Sequence, residues 1–556
     1  MQPLFKRGSR SGTVIFMDKK LLIFLFGFFL FFVAYNKFIL EPRMKKDQPQ
    51  RPPVTATPAQ IPAQPQTVPA APSTTPAQPA AASSARRVFV ETPLYRAEFT
   101  SKGAVLTSFR LKRYKDDQTQ PLEMIPQTGA TEDLPLSFDL EDKKLAQVAG
   151  QALYVIDGDS RSLGPHEKAV ISFSYSDGTH SFRKEFRFQG ESYLIQCEFA
   201  VATGNQNVPV RVSWAPGLES LKSYKDRSFV KPSAGIVNSG DKVKHWESKS
   251  AKEFKKIGST IRWAGVENNY FAGIFIPTNQ PSDAYMSQAH RTEDASIHNV
   301  HVMVAGLQPQ PLQMSLFIGP KDYLLLRDLG MDLEDAVDFG FFGPIAKGLF
   351  FALRYFYSFT KNYGWAIVLL TILIKIIFTP FTQMSFSSMK KMQQMQPELK
   401  KIQEKYAKVK SDDPRKMSMN TEIMQLHKRY GVNPLGGCLP MLLQMPFLFA
   451  FYSLLSNAIE LRHAPFGLWL HDLSRPDPLY VTPLLMGGTM FLQQKMTPVS
   501  DPMQKNMMYI MPVMFTFMSF KLQSGLVLYW LLSNVLAIAH QYYFQSRQKL
   551  PAQANP

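Results

Sequence analysis

Residues 362–383 read NYGWAIVLLTILIKIIFTPFTQ, and this stretch decides what kind of protein the chain is. From Tyr363 to Phe381 it is long enough to cross a bilayer core, which takes about 20 largely apolar residues in a helix. One ionisable residue, Lys375, interrupts it. At ~1.5 Å rise per residue, Lys375 lies roughly 9 Å inside the end marked by Phe381. A charge at that depth costs at least ~2.5 kcal/mol, so it either faces protein or a water-filled cavity, or snorkels to the nearer surface. Depth alone leaves both open.

The rest of the chain fits a membrane setting. Its 556 residues exceed one ordinary core, and 42 Phe and 26 Met concentrate at 21–40 and after 341. The net charge of +18 would suit nucleic acid, but no nucleic-acid-binding motif occurs and the basic residues cluster beside apolar spans. Cys197 and Cys438 sit in different regions and form neither a disulfide framework nor a metal pair. No phosphate-binding loop and no nucleophile–base pair appear, so the chain reads as a non-enzyme without cofactor or metal.

Taken in order, residues 1–20 precede an apolar run at 21–40 with no small-residue cleavage site after it, which reads as an uncleaved anchor with its N-terminus in the cytosol. MDKK at Met17 is a candidate second start site. Residues 41–87 are rich in Pro, Ala, Gln and Thr and read as an extended spacer. Residues 88–335 carry many short strand-like runs between turn signals, the pattern of a large all-β sandwich. Its HNVH pair, His298 and His301, reads as strand surface rather than a metal site. Residues 341–360 are apolar at helical spacing but carry Lys347 and Arg354, which suits a helix lying in the membrane interface.

Beyond the span at 363–381, residues 383–432 read as a helical hairpin. Met392, Met395, Leu399, Ile402 and Tyr406 form one seam, and Met419, Ile423, Leu426 and Tyr430 the other. Pro397 predicts a kink or restart in the first helix; Asp413 and Gly431 are the cap and stop of the second. From Lys390 to Arg429, 11 Lys or Arg stand against 5 Asp or Glu, which places the hairpin in the cytosol. Four more spans follow at 435–458, 479–494, 506–521 and 524–544, separated by a periplasmic loop at 459–478 and a cytosolic loop at 495–505. The total is six. The middle two are short for a bilayer. An even count puts the tail, 545–556, in the cytosol and the β domain outside.

The motifs NPLGGCLPMLLQMPFLFAFYSLL, ELRHAPFGLWLHDLSRPDPLY, PLLMGGTMFLQQKMTP, DPMQKNMMYIMPVMF and SGLVLYWLLSN closely resemble the YidC membrane protein insertases of Gram-negative bacteria, nearly continuously over 341–545. The resemblance implies an α-helical polytopic inner-membrane protein of six transmembrane helices. It also implies a large periplasmic β-supersandwich similar to sugar-mutarotase folds, and a groove open to cytosol and lipid. It implies a chaperone and insertase for nascent inner-membrane proteins, working alone or with the Sec translocon, with ribosome or targeting factors and membrane lipids as further partners. The family places a positive residue, usually arginine, where this chain has Lys375. Thr371 and Trp530 match positions important in the family, Trp530 standing where tyrosine is common. Gln444, Ser533 and Asn534 complete the candidate groove. A transporter would show inverted repeats and several intramembrane charges, and the chain shows neither.

Overall fold

The computed structural model describes residues 84–116, 119–126, 134–218, 233–240, 242–247, 254–288, 300–406, 415–431, 439–496 and 502–547. The expected anchor at 21–40, most of the spacer, the cap at Asp413 and the tail beyond 547 lie outside these residues.

The first half is built from three sheets of five, ten and five strands. Alternation marks the strands with one packed face, while Ala234–Asn238 and Trp263–Glu267 are buried throughout. In the strand Tyr95–Thr100, Tyr95, Ala97 and Phe99 are buried while their neighbours are half-exposed. In His180–Gln189 the inward positions are Phe182, Lys184, Phe186 and Phe188. That period of two is the signature of a sheet with one packed face. Aromatic rings fill the space between sheets: Phe99 lies 4.9 Å from Phe186, and Tyr95 stacks on Phe109 at 4.5 Å. The described strands run from Arg87 to Pro320, with one helix, α1 (Lys143–Gln151), capped by Asp142.

The second half is helical. α2 (Tyr323–Leu329) leads into α3 (Gly343–Thr360), which carries Pro344 in its first turn, where no backbone bond is lost. α3 buries Ala346, Leu349, Phe350 and Leu353. Lys361, in a left-handed conformation, ends it, and the Asn362 side chain caps the next helix by accepting from the Trp365 N–H at 3.2 Å. That helix, α4, runs unbroken from Tyr363 to Lys405, 43 residues.

The helix therefore does not restart at Pro397, and no separate hairpin helix begins near 383. Pro380 and Pro397 both sit on exposed faces, so the carbonyl each proline leaves unbonded is not trapped in a packed interior. Around Pro380, Thr379 and Thr382 donate their hydroxyls to Lys375 O and Phe378 O, at 2.8 and 3.0 Å.

α5 (Arg415–Arg429) folds back along the end of α4. Met395 and Leu426 are the buried residues of this contact, Lys405 Nζ pairs with Glu422 Oε1 at 2.7 Å, and the Tyr430 hydroxyl donates to Glu398 Oε1 at 2.5 Å. Then come α6 (Leu439–Asn457), α7 (Val481–Lys495), α8 (Pro502–Ser519) and α9 (Ser524–Arg547). α9 packs on α7 and α4, α7 packs on α8, and α6 packs on α3. At Gly487 a Cβ would sit 2.0 Å from Thr516 Oγ1, so glycine permits the close approach of α7 to α8.

Among the described residues one helical segment, Tyr363–Ser388, is long and apolar enough to cross a membrane; Tyr509–Ser519 is apolar but shorter. The two halves meet at defined contacts. Asn269, in a strand-connecting turn, donates to Ser456 O at 3.3 Å and to Asn457 Oδ1 at 3.4 Å. Arg462 donates to Lys115 O at 2.5 Å and lies over the Phe271 ring.

Candidate functional site

One loop pins the starts of both α4 and α9. Asn362 Nδ2 donates to Phe466 O at 3.1 Å, and Ser524 N donates to Arg475 O at 2.7 Å. The two helices then run side by side away from that loop. Lys375 is half-buried on α4. No described carboxylate pairs with it. A lysine alone among apolar helices, without a counter-ion, is available to a passing group.

The other candidate residues divide into two sets. Thr371, one turn before Lys375, is fully buried, and its hydroxyl bonds back to Ile367 O at 2.7 Å. It is held by its own helix. Ser533 and Asn534 are buried on α9. The Asn534 amide is directed to α7, 3.4 Å from Met486 O and 3.5 Å from Thr489 Oγ1, so it ties two helices together. Trp530 is half-exposed and packs edge-on against Phe515 of α8, 5.0 Å between centroids. Gln444, half-exposed on α6, faces the Tyr529 hydroxyl of α9. Lys375, Trp530 and Gln444 therefore keep accessible surface, while Thr371, Ser533 and Asn534 are packed.

Sequence reasoning passed over His540 as a site residue. It stands on α9 two to three turns beyond Trp530, is half-exposed, and its ring lies 5.5 Å from Phe386 of α4. The signal that could have found it is spacing: Trp530, Ser533, Ala537 and His540 recur at 3-4-3 along one stripe of α9.

Apolar side chains cover the outer faces of the same helices. Ile376 and Ile377 on α4, Leu484 and Leu485 on α7, and Ile510, Val513 and Phe517 on α8 are all exposed, Phe517 by 67%. Contiguous apolar surface on this scale is unfavourable against water and natural against lipid. Among the described residues no group of three His, Cys, Asp or Glu side chains is placed to hold a metal.

The family model described as "60Kd inner membrane protein" matches residues 355–552, and that described as "YidC periplasmic domain" matches residues 87–352. The protein named Membrane protein insertase YidC of Geotalea daltonii is 36% identical over 543 residues, covering 96% of this chain and all of the relative. The chain belongs to the YidC membrane protein insertase family. The YidC protein of Geobacter sulfurreducens is 37% identical over 538 residues, 95% of this chain and 98% of its own. A solved structure described as an active YidC insertase with its first transmembrane domain resolved aligns at 18% identity with a TM-score of 0.35, over 81% of this chain and 91% of that one. The β-rich half is thus the YidC periplasmic domain, and the helical half the inner-membrane part of a YidC protein. The family's named role, insertase, is not an enzymatic one.

Proposed function

We propose that this chain inserts nascent inner-membrane proteins through a hydrophilic groove between α4, α6 and α9, with Lys375 as its cationic contact. The names of its relatives support insertion as the activity. The observation that carries the groove is Lys375 itself, a cation in an apolar helix with no described carboxylate beside it. Moving a short polar tail across hydrocarbon is the physical obstacle, and a hydrated cavity within one leaflet shortens it. Lys375 attracts an acidic group in the tail transiently, and the membrane potential favours moving negative charge outward. The apolar segment of the substrate then slides along α6 and α8 into lipid.

The topology belongs to this reading. Six spans, including the anchor at 21–40, put both termini and the α4–α5 hairpin in the cytosol and the β-supersandwich in the periplasm. The short α7 and α8 thin the surrounding lipid. The basic hairpin recruits ribosomes or targeting factors, and the same groove serves substrates arriving alone, substrates handed over by the Sec translocon, and the folding of inserted chains.

The test compares Lys375→Arg with Lys375→Glu in proteoliposomes, using one substrate with an acidic translocated tail and one with a neutral tail. Arginine keeps the charge and retains insertion of both. Glutamate lowers insertion of the acidic-tailed substrate about tenfold or more, the worth of one charge-assisted contact reversed. Normal insertion of that substrate by Lys375→Glu removes the electrostatic role.

A further inference from the structure

α9 presents one polar group that the groove reading has not used. The ring of His540 lies 5.5 Å from Phe386, which follows Lys375 by three turns on α4. At ~1.5 Å per residue those turns span roughly 16 Å, and His540, just short of Phe386, stands on the order of 12 Å nearer the hairpin end of the groove than Lys375. The imidazole thus occupies the stretch between Lys375 and Phe386, with part of its surface open. Phe386 also meets Phe544 at 5.7 Å, so one face of the imidazole is held by an aromatic cluster.

We infer that His540 is a second substrate-contacting residue of the groove, placed at its hairpin end to hydrogen-bond an acidic or polar chain segment on its way to Lys375. An imidazole suits this task. It donates to a carboxylate or a backbone carbonyl, and it does so without a permanent charge that would trap the segment short of Lys375. Two contacts roughly 12 Å apart along the path let a tail be passed from one donor to the next while its apolar segment is still outside the bundle. The inference rests on the groove reading, so its test must separate the two.

A photoreactive group is placed in the acidic tail of a substrate held on stalled ribosomes, and the crosslinked peptides of the unaltered insertase are mapped by mass spectrometry. Crosslinks to the peptides around both Lys375 and His540 are expected. Crosslinks around Lys375 with none around His540 overturn this inference and leave the groove standing. None at either position overturns both. The companion variant is His540→Phe, which keeps the ring contact with Phe386 and removes the polar edge. The ratio of acidic-tailed to neutral-tailed insertion is expected to fall about tenfold, the worth of one hydrogen bond to a charged group, and to recover in His540→Gln, which restores a donor. An unchanged ratio in His540→Phe reduces His540 to packing and overturns the inference.

Discussion

At the scale of single residues, Lys184 shows what burial of a charge accomplishes away from the groove. Alternation in FRKEFRF places it inward between Phe182 and Phe186, and it is fully buried. Its ammonium donates to Gly103 O at 2.8 Å, Ala104 O at 3.1 Å and Leu136 O at 2.7 Å, and lies 4.4 Å from the Phe138 ring centroid. Burial pushes its pKa down to about 7, and the three carbonyls favour the charged form against that. All three carbonyls belong to residues with positive φ, 71°, 49° and 73°. Ala104 and Leu136 pay steric strain there, so the lysine holds together two turns that would relax without it. Lys184→Met keeps the volume and removes every donor. We expect a loss of about 2–5 kcal/mol, since each carbonyl left without a partner costs about 1–3 kcal/mol and a removed desolvation cost offsets part of it. Thermal unfolding followed by the fluorescence of Trp214 and Trp263, both buried in the sheets, measures it.

At the scale of elements, the joint between α3 and the loop after α6 is sensitive to pH. Arg354 on α3 lies 3.3 Å from Glu460, in the short turn Ile459–Leu461, and Asp322, Tyr114 and Tyr363 face the same carboxyl. Burial pushes the Glu460 carboxyl up to about 7, Asp322 adds to the shift, and Arg354 opposes it. The folded pKa exceeds the unfolded one, so the joint binds a proton more tightly when formed. Its contribution is complete below the ordinary carboxyl range and fades as the pH rises through about 7. His463 nearby is held below its ordinary value, by burial first and then by Arg462, and opposes this at acid pH. The expected result is a melting temperature that falls between pH 5 and pH 8 in the parent chain and is flatter in Glu460→Gln. Identical pH profiles for the two would remove Glu460 as the cause.

At the scale of the whole molecule, the contacts between the periplasmic half and the membrane half include Asn269 with Ser456 and Arg462 with Lys115. The residues proposed for the groove all follow Phe341, and the helical half keeps internal ties of its own, such as Asn457 to Asp338 and Arg354 to Glu460. Deleting Val88–Val304 is therefore expected to leave insertion within a few-fold of the parent chain at equal protein levels. Loss of insertion by a well-expressed deletion would show that the seat of the β domain on α6 is required for the groove.

How much of this was legible in the chain follows from the range of the forces involved. Hydropathy and charge are properties of each residue in turn, so the membrane class, the β-rich region before the helices, and an interrupted span at Lys375 could be read directly. The family followed from long ordered motifs. Which groups meet was another matter. The Asn534 amide reaches from α9 to α7, Thr371 is tied to its own helix, and His540 packs on Phe386 because of how α9 is set against α4. Pro397 could not be judged locally either, because proline's cost depends on whether the freed carbonyl faces outward or is buried. Lys184 is the clearest case. Its strand position is written in an alternating pattern, but its three carbonyl partners stand 48 to 81 residues away and are brought to it only by the packing of one sheet on another.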